Sequence, residues 1–333
     1  MPVRLAINGF GRIGRCVLRA WIESGRKDVE IVAINDLAPL DMNAHLLQFD
    51  SVHGPLTAPV SIEDGALVVA GHRIRVTQER SPDSLSWQDV DIALECTGIF
   101  KARDKAAHYL EAGANKVLIS APGEGADRTV VYGVNHDGLG AADRIVSNAS
   151  CTTNCLAPVA KVLDDAFGIA TGYMTTVHSY TGDQPTLDTA HSDPYRARAA
   201  ALSMIPTSTG AAKAVGLVLP QLQGKLDGSA IRVPTPNVSV VDLCFMPERA
   251  ATAEAVNAAL RAAADGPLAG VLGVSDLPLV SSDFNHNPLS SIVASAQTHV
   301  GEGGLVRVLS WYDNEWGFSN RMLDTAMAMH DAG

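Results

Sequence analysis

The sequence has little positive charge and no long apolar run. Among its 333 residues, 25 Lys and Arg stand against 36 Asp and Glu, which gives a formal net charge of -11. Nucleic-acid-binding proteins normally present a basic face, so this charge balance argues against that class. No uncharged stretch reaches the roughly 18 residues that span a bilayer, and the N-terminus lacks the pattern of a secretory signal. We therefore expect no nucleic-acid partner, no membrane association and a cytoplasmic location.

Cysteine is also scarce. An odd number of cysteines in a chain of this length favours reduced thiols over a disulfide framework; the five are Cys16, Cys96, Cys151, Cys155 and Cys244. Cys151 and Cys155 have a spacing open to a disulfide or metal pair, but structural zinc needs about four ligands and no second pair lies nearby. We expect no metal. Cys16, Cys96 and Cys244 lie in apolar segments and are predicted to be unreactive core residues.

The chain does have a high apolar content, 47%, and a length that predicts two domains. The first 150 residues alternate short apolar runs with amphipathic helical segments. This alternation is typical of α/β proteins and predicts a doubly wound parallel sheet that is covered on both faces. The predicted helices begin near Arg12 and Ala102, and the predicted strands are residues 3–8, 29–34, 92–96, 117–120, 129–134 and 145–147.

The pattern of apolar and polar residues changes after residue 150. Several segments alternate apolar and polar residues, which predicts an α+β domain over residues 151–314 with a mainly antiparallel sheet. The predicted strands are residues 170–179, 229–246, 291–299 and 305–312, and the predicted helices are residues 210–218 and 252–264. Residues 179–201 have no clear period, and a loop of that length is usually functional. A last helix over residues 319–330 is expected to pack on the first domain, which we define as 1–150 completed by 315–333.

A glycine-rich turn follows the first predicted strand. Residues 9–14 read Gly-Phe-Gly-Arg-Ile-Gly, which matches the G-x-G-x-x-G fingerprint of dinucleotide-binding turns. Gly9 would allow the tight turn, Gly11 would let a pyrophosphate approach the backbone, and Gly14 would let helix and strand pack closely. Asp36 ends the second strand, where a carboxylate can bind ribose hydroxyls and repel a 2′-phosphate. The alternative is a structural turn without a ligand, but the strand–turn–helix context favours a dinucleotide site.

Cys151 is the candidate nucleophile. It follows the strand 145–147 and opens a helical stretch, so the partial positive charge of a helix N-terminus would stabilise its thiolate. Its small polar neighbours are unusual for a structural cysteine. His178 ends an apolar strand and could reach Cys151 through space as its base. The residue pattern alone leaves this open, because the chain has ten histidines and a single histidine is more often structural.

Six segments together resemble the phosphorylating glyceraldehyde-3-phosphate dehydrogenase family. They occur in the family's order and extend over nearly the whole chain: residues 6–15, 147–155, 178–181, 206–213, 232–236 and 311–317. The resemblance implies a Rossmann domain, a catalytic domain and a homotetramer. It also implies NAD-dependent oxidation of D-glyceraldehyde 3-phosphate to 1,3-bisphosphoglycerate in glycolysis or gluconeogenesis, with inorganic phosphate as the second substrate.

The resemblance also implies roles for individual residues. Cys151 would add to the aldehyde as a hemithioacetal, and His178 would take the hydroxyl proton while hydride leaves for the nicotinamide. Phosphate would then cleave the resulting thioester. The implied cofactor-binding residues are Gly9, Gly11, Arg12, Ile13, Gly14, Asp36, Arg80, Ser120 and Asn314. Asn314 would fix the nicotinamide carboxamide, although a turn residue at that position is also an ordinary structural choice.

Two anion pockets are implied by the same resemblance. Thr181 and Arg232 would bind the substrate phosphate, with Asp183 near the nicotinamide ribose. The residues for inorganic phosphate would be Ser150, Thr152, Arg196, Thr209 and Gly210. Arginines and hydroxyls can supply several donors to one phosphate without making the whole protein basic. Without the resemblance, Arg232 would be taken for an ion-paired strand residue and Thr209–Gly210 for a helix cap.

The sequence departs from the family pattern at one point. Many NAD-specific members have Leu-Pro where this chain has Thr189 and Ala190, and smaller residues there leave room for a 2′-phosphate. Asp36 acts in the opposite direction through charge repulsion, and Leu37 offers that phosphate no hydroxyl. We expect NAD to be the preferred cofactor, with NADP use possible.

Three alternative functions stay open at the level of sequence. An erythrose-4-phosphate dehydrogenase would share the cysteine, the histidine and the fingerprint, but it tends to have Glu at the position of Asp36. A non-enzymatic dinucleotide-binding interaction protein would not need the intact set of Cys151, His178 and arginines. A Cys–His hydrolase would leave the fingerprint at residues 9–14 without a purpose.

Overall fold

The computed structural model describes residues 1–333, which form two compact units. The first unit contains residues 1–150 and 319–333, and the second contains residues 151–318. No helix combines the length and the apolar character that crossing a membrane requires. The α-helices are α1 (Arg12–Ser24), α2 (Leu40–Gln48), α3 (Arg103–Glu111), α4 (Cys151–Phe167), α5 (Ala211–Val218), α6 (Ala253–Ala264) and α7 (Trp316–Asp331).

Nine strands form the sheet of the first unit. They are β1 (Val3–Asn8), β2 (Val29–Asn35), β3 (Val60–Glu63), β4 (Ala66–Val69), β5 (His72–Thr77), β6 (Ile92–Glu95), β7 (Lys116–Ile119), β8 (Arg128–Thr129) and β9 (Ile145–Ser147). The strand order is β3-β4-β5-β2-β1-β6-β7-β9-β8, and all neighbours from β5 to β8 are parallel. The chain runs outward from β1 through β2 to β5 and then returns to β6 on the other side. The carboxyl ends of β1 and β6 therefore form the topological switch point at which α/β sheets bind ligands.

The predicted parallel sheet is confirmed, but some of its parts were not predicted. Helix α2 and the antiparallel hairpins β3–β4 and β4–β5 were missed. Both hairpin turns, residues 64–65 and 70–71, have positive φ at both positions, which is the geometry that an Asp-Gly turn favours. The predicted strand 129–134 is wrong beyond Thr129, because the Asn135 side chain hydrogen-bonds to backbone groups of this segment and folds it into a turn.

The part of α7 after residue 318 belongs to the first unit. Thr325 donates a 2.8 Å hydrogen bond to Asn148 Oδ1, and Asp324 forms a 2.6 Å ion pair with Arg26. The buried Lys116 donates to the carbonyl of Met329 in the last turn of the helix. The helix dipole stabilises a positive charge at this end. These polar contacts attach the C-terminal helix to the parallel sheet of its own unit.

The second unit contains a mixed sheet. Its strands are β10 (Ile169–Ser179), β11 (Ile205–Ser208), β12 (Leu226–Val233), β13 (Ser239–Pro247), β14 (Leu272–Ser275), β15 (Ser291–Ala294), β16 (His299–Val300) and β17 (Val306–Tyr312). The order is β11-β12-β10-β13-β17-β15-β14, and β16 pairs with β17. Two pairings are parallel, β10 with β12 and β14 with β15, and the others are antiparallel.

Two predicted strands of this unit are broken in the structure. The predicted strand 229–246 is interrupted between β12 and β13 by a segment containing Pro234 and Pro236, which cannot donate to a ladder. Val238 in the same segment has a positive φ of 68°. The predicted strand 291–299 is interrupted by a 3-10 turn, Ser295–Gln297. The predicted helices 210–218 and 252–264 agree with α5 and α6 to within one residue.

Candidate active site

A crevice of about 440 Å³ lies at the carboxyl ends of the parallel strands in the first unit. We call it the strand-end crevice; its lining includes Asn8, Gly9, Gly11, Asn35, Asp36, Arg80, Cys96 and Thr97. These residues end or follow β1, β2, β5 and β6, so the crevice coincides with the topological switch point. Such a position is the usual ligand site of an open α/β sheet.

The three glycines of the fingerprint have distinct steric environments. Gly9 has a φ of +89°, and a Cβ atom there would lie 2.7 Å from Thr97 N. A Cβ atom on Gly14 would lie 2.2 Å from the carbonyl oxygen of Gly9, so the helix and the turn are in direct contact. Around Gly11 a Cβ atom would meet nothing within 4 Å. The turn therefore has open space next to the N-terminus of α1, and this is the space that a pyrophosphate requires.

Asp36 is held beside this turn. Its two carboxylate oxygens accept hydrogen bonds from Phe10 N at 2.7 Å and Ala38 N at 2.8 Å. The backbone thus fixes the carboxylate at the end of β2, in the position where an adenosine ribose lies in dinucleotide-binding folds. Asp36 and the exposed Arg80 both line the crevice, which leaves them accessible to a ligand.

The other predicted cofactor residues differ in their surroundings. Arg12 is paired with Asp50 through two hydrogen bonds, at 2.5 Å and 3.2 Å. Burial acts to raise the pKa of Asp50, but Arg12 and backbone N–H donors hold that pKa well below its usual range. Ile13 lies in the first turn of α1, and Ser120 directly follows β7; both are partly buried. Neither they nor Arg12 line the strand-end crevice.

A buried carboxylate beneath the crevice was not predicted. Glu95, the last residue of β6, accepts hydrogen bonds from Thr97 N at 2.8 Å and Gly98 N at 3.0 Å. It also accepts from Asn8 Nδ2 at 3.2 Å and from the Tyr109 hydroxyl. A charged residue at the end of an otherwise apolar run was the available signal. Glu95 fixes the loop after β6, which forms one wall of the strand-end crevice.

In the second unit, Cys151 and His178 lie in contact. Cys151 is the first residue of α4, and its Sγ atom is 3.5 Å from His178 Nε2. His178 is the penultimate residue of β10, and parallel pairing places it beside Arg232 of β12. The sequence therefore brings the two predicted catalytic residues together through one helix start and one strand end.

The hydrogen bonds of His178 select one tautomer. Its Nδ1 atom lies 2.7 Å from the carbonyl oxygen of Ser179, which can only accept, and 2.9 Å from Arg232 Nη1, which can only donate. The two protons of Arg232 Nη1 have other acceptors, whereas the shorter contact to Ser179 O requires a proton on Nδ1, so Nδ1 is assigned the proton. The lone pair is then on Nε2, facing the sulfur of Cys151. Arg232 Nη1 donates to the same carbonyl at 2.9 Å and to the Thr181 hydroxyl at 3.1 Å. In this arrangement His178 can accept a proton at Nε2.

The electrostatics correct one expectation from the sequence. The helix N-terminus was expected to hold Cys151 as a thiolate, but burial raises the pKa of this thiol and outweighs the opposing effects of Arg232 and Thr152. Burial and the charge of Arg232 lower the pKa of His178 to about 3. The ligand-free pair is thus a neutral thiol and a neutral imidazole at neutral pH. Ionisation of the thiol requires proton transfer to His178 or an added positive charge.

Four residues form a connected polar group beside this pair. We call it the Arg196–Arg232 group; it consists of Thr181, Asp183, Arg196 and Arg232. The Thr181 hydroxyl donates to Asp183, and Arg196 forms a 2.8 Å ion pair with the same carboxylate. Arg232 Nε is buried and has no hydrogen-bond partner within the chain. An unused buried donor on a guanidinium is a feature that an oxyanion ligand would satisfy.

The remaining residues that were predicted to bind inorganic phosphate have different surroundings from one another. The Thr152 hydroxyl is 2.9 Å from the hydroxyl of the buried Tyr312, so it is already engaged inside the unit. Thr209 Oγ1 accepts from Ala211 N at 3.2 Å, directly before Gly210, the N-cap residue of α5. Ser150 is partly buried and belongs to the first unit. Thr207, which accepts from Arg196 Nε at 3.1 Å, was not singled out from the sequence.

Asn314 follows β17 and is almost fully buried. Its Oδ1 atom accepts hydrogen bonds from the hydroxyls of Ser179 and Ser239, both at 2.8 Å. The two serines were not predicted as site residues, because their proximity to Asn314 depends on the pairing of strands that are distant in sequence. The structure therefore adds two buried hydroxyls to the surroundings of a predicted cofactor residue.

The other cysteines follow the sequence prediction only in part. All five are free thiols, and Cys16 and Cys155 are fully buried. Cys96 and Cys244 are only partly buried, which corrects their assignment to the core; Cys96 lines the strand-end crevice. Burial raises the pKa of both thiols, and it raises that of Cys155 to about 12. These three thiols therefore stay protonated at neutral pH, as Cys151 does, and Cys151 differs from them by its contact with His178.

Comparison with known proteins identifies the family. Residues 3–103 match the family model described as glyceraldehyde 3-phosphate dehydrogenase, NAD binding domain, and residues 150–314 match the corresponding C-terminal domain. The chain is 68% identical over 329 residues to a glyceraldehyde-3-phosphate dehydrogenase of Cereibacter sphaeroides, with 99% of each chain covered. It is 66% identical to the protein of that name from Xanthobacter flavus over the full length of both chains, and 59% identical to glyceraldehyde-3-phosphate dehydrogenase 1 of Bacillus subtilis over 98% of each. The resemblance inferred from six short segments is confirmed, and the chain belongs to the glyceraldehyde 3-phosphate dehydrogenase family.

Proposed function

We propose that this protein oxidises D-glyceraldehyde 3-phosphate to 1,3-bisphosphoglycerate, with NAD as oxidant and inorganic phosphate as acyl acceptor. The observation that carries the proposal is the contact of Cys151 Sγ with His178 Nε2 at 3.5 Å, next to two arginines. A thiol, a base and an anion-binding group are the parts that thioester formation on a phosphorylated aldehyde requires. The names of the relatives support the same substrate.

The strand-end crevice fits the adenosine and pyrophosphate parts of NAD. Gly11 leaves open space at the N-terminus of α1, and Asp36 is fixed where ribose hydroxyls can donate to it. The proposed contacts are Gly9, Gly11, Arg12, Ile13, Gly14, Asp36, Arg80 and Ser120, with Asn314 for the carboxamide. When bound, NAD supplies the hydride acceptor and the positive charge of its oxidised nicotinamide ring.

The first half of the reaction uses the neutral Cys151–His178 pair. His178 Nε2 accepts the thiol proton while Cys151 Sγ forms a bond to the aldehyde carbon. The proton returns to the new oxyanion and gives a neutral hemithioacetal. As hydride leaves that carbon, His178 takes the hydroxyl proton and the carbonyl re-forms as a Cys151 thioester. The hydrogen bond from Nδ1 to Ser179 O keeps the ring oriented through these transfers.

The second half releases the product. An oxygen of inorganic phosphate bonds to the thioester carbon, the Cys151 sulfur leaves as a thiolate, and 1,3-bisphosphoglycerate is formed. The proton held by His178 then neutralises the thiolate or is lost to solvent. We assign the substrate phosphate to Thr181 and Arg232, and the attacking phosphate to Arg196, Thr209, Gly210 and the backbone around Ser150 and Thr152.

Two further aspects of the assignment concern assembly and location. We propose a homotetramer, because segment 180–204 exposes large apolar side chains that a second copy of the chain would cover: Leu187, Tyr195, Leu202 and Met204. We also propose a cytoplasmic location, which is consistent with a glycolytic role and with five free cysteines. Size-exclusion chromatography with light scattering tests the assembly, and a monomer at micromolar concentration would contradict it.

The deciding experiment follows NADH formation from glyceraldehyde 3-phosphate with and without inorganic phosphate. Phosphate should be required for repeated turnover, because water is a poor substitute for it at a thioester. Erythrose 4-phosphate is assayed in parallel, since the related erythrose-4-phosphate dehydrogenase tends to hydrolyse its thioester. Efficient oxidation of erythrose 4-phosphate without a phosphate requirement would favour that alternative and reject the proposal.

A further inference from the structure

The amide of Asn314 is oriented by two buried hydroxyls. Ser179 Oγ and Ser239 Oγ each lie 2.8 Å from Asn314 Oδ1. Ser179 is 0% exposed, Ser239 is 1% exposed and Asn314 is 5% exposed. Solvent therefore cannot replace either hydroxyl, and the orientation of the amide depends on these two side chains.

The sheet explains why these residues meet. Ser179 is the last residue of β10, Ser239 is the first residue of β13, and the two strands are antiparallel neighbours. Strand β17 lies on the other side of β13, with Ser239 paired to Tyr312, so Asn314 follows two residues later. The three side chains therefore lie together at the end of the sheet where β10 ends, β13 begins and the chain leaves β17.

The number of hydroxyl protons decides whether Oδ1 or Nδ2 of Asn314 faces the two serines. Each hydroxyl has one proton, and Ser179 Oγ is 3.4 Å from Ser239 Oγ, a long distance for a hydrogen bond. Ser239 Oγ also accepts from Ser179 N at 3.1 Å. If Asn314 Nδ2 faced the pair, at most one hydroxyl proton would find an acceptor. With Oδ1 inward both protons are used, and Nδ2 is left as a donor for a ligand.

The backbone of Asn314 is fixed as well. The neighbouring Asp313 is buried, and its Oδ1 accepts from Glu315 N at 3.0 Å and Trp316 N at 2.7 Å at the start of α7. Its Oδ2 accepts from Asn237 Nδ2 at 2.8 Å. The chain on either side of Asn314 therefore has no need of the two serines to keep its position. What Ser179 and Ser239 contribute to Asn314 is the direction of its amide; Ser239 Oγ also accepts from Ser179 N, which is why the reactivity of Cys151 is measured as a control.

We propose that Ser179 and Ser239 are positioning residues that present Asn314 Nδ2 as a hydrogen-bond donor to the carbonyl oxygen of the nicotinamide carboxamide. This inference rests on the proposed function, in which Asn314 binds that group. A carboxamide held at one point allows only one face of the ring to meet the substrate. The two serines would therefore act on cofactor affinity and on the stereochemistry of hydride transfer, and not on the chemistry of Cys151.

The test compares the double variant S179A/S239A with the wild type and with S290A. Ser290 is also buried in the second unit, and its Oγ has no hydrogen-bond partner, so S290A removes a buried hydroxyl without disturbing an orientation. NAD affinity is measured by equilibrium binding, and hydride transfer is followed with glyceraldehyde 3-phosphate deuterated at C1. The position of deuterium in the product is read by NMR. Alkylation of Cys151 by iodoacetamide without cofactor reports whether the nucleophile is intact.

The double variant should bind NAD about 10-fold more weakly, because the amide can rotate and the donor is lost part of the time. Deuterium should appear on both faces of the nicotinamide in this variant and on one face in the wild type and S290A. The rate of Cys151 alkylation should be the same in all three proteins. Unchanged NAD affinity and retained single-face transfer in the double variant would overturn the proposal.

The two levels of inference can fail separately. If the wild type forms no NADH, the proposed function fails, and the binding measurements still show whether the serines affect NAD affinity. If the wild type is active and the double variant matches S290A in every readout, only the positioning role fails. If the double variant loses alkylation at Cys151 as well, its effect is a general distortion of the unit, and the positioning role is rejected.

Discussion

The strand-end crevice is shaped mainly by backbone, whereas the site around Cys151 is made of side chains. In the crevice, a Cβ atom on Gly9 would lie 2.7 Å from Thr97 N, and one on Gly14 would lie 2.2 Å from Gly9 O, so neither position accepts a side chain. Asp36 is held there by two backbone N–H groups. Around Cys151, the contacts are mainly between side chains that come from different parts of the second unit, with the carbonyl of Ser179 as the backbone acceptor for His178 and Arg232. Cofactor binding in the crevice therefore needs few specific side chains. The chemistry at Cys151 depends on every side chain of its site.

Because of this difference, substitutions in the two regions should impair different properties of the protein. A substitution at Cys151 should stop the chemistry and leave dinucleotide binding intact. A substitution in the glycine turn should weaken dinucleotide binding and leave the thiol reactive. The two regions lie in separate compact units, which is the structural basis for expecting them to respond independently.

The largest effect is expected for Cys151→Ser. Loss of the thiol should lower kcat/KM for glyceraldehyde 3-phosphate by at least about 10⁴-fold, because a serine hydroxyl beside His178 forms no thioester. Steady-state NADH formation measures the loss, and equilibrium binding of NAD is the control. More than a tenth of the wild-type activity would show that Cys151 is not the nucleophile, and a large loss of NAD affinity would show that the two regions do not respond independently.

A matched pair of glycine variants tests the crevice. Gly14→Ala should lower the free energy of unfolding by about 2–3 kcal/mol, since its Cβ atom would collide with the carbonyl of Gly9. Gly11→Ala should cost about 1 kcal/mol or less, because the position is sterically open and is only a helix cap. Its NAD affinity should nevertheless fall about 10-fold or more, since the methyl group fills the space for the pyrophosphate.

Urea unfolding and NAD binding are measured for both glycine variants, with the alkylation rate of Cys151 as control. Equal NAD affinity for Gly11→Ala and the wild type would mean that the pyrophosphate does not lie against this turn. A stable Gly14→Ala variant would mean that helix α1 can move away from the turn at little cost.

Cofactor selectivity is expected to change less. Asp36→Asn removes the negative charge and keeps a side chain of the same shape, so the ratio of kcat/KM for NADP to that for NAD should rise about 10-fold. The wild type should prefer NAD, despite the small Thr189 and Ala190. A wild-type ratio near one would show that the charge of Asp36 does not dominate, and an unchanged ratio in the variant would show that it has no part in selection.

The smallest effect expected is on the pH dependence of stability. Because the pKa of His178 is lowered to about 3 in the folded chain, the unfolded state binds more protons between this value and about 6.5. Stability should therefore fall as pH falls below about 6.5. Removing the group in His178→Asn should abolish about 1–2 kcal/mol of this loss between pH 7 and pH 5. Urea unfolding of both proteins at the two pH values measures it, and parallel curves would show that His178 is not buried as a neutral base.

The sequence predicted the parts of the site that depend on short-range pattern. The fingerprint at residues 9–14 and the start of α4 at Cys151 follow from neighbouring residues. The pairing of Cys151 with His178, 27 residues away, was inferred from the family resemblance and not from periodicity. The contact of His178 with Arg232, 54 residues away, was not predicted. Strand register creates those contacts, and single-sequence pattern does not contain the register.

The same reasoning explains what was missed. Glu95 is important because β6 lies beside β1, and Ser239 because β13 lies between β10 and β17. The ionisation of Cys151 was misjudged because the helix N-terminus is visible in the sequence while burial is a property of the packed unit. Long-range packing therefore determined both the unpredicted residues and the sign of the pKa shift.

The reactivity of the thiol is most directly tested by trapping the acyl group. The protein is mixed with glyceraldehyde 3-phosphate and NAD without inorganic phosphate, quenched in acid, and mapped by mass spectrometry of its peptides. The proposed mechanism predicts one phosphoglyceryl group per chain on Cys151, formed together with one NADH and removed when phosphate is added. NADH formation without an acyl group on Cys151, or an acyl group on another residue, would contradict it.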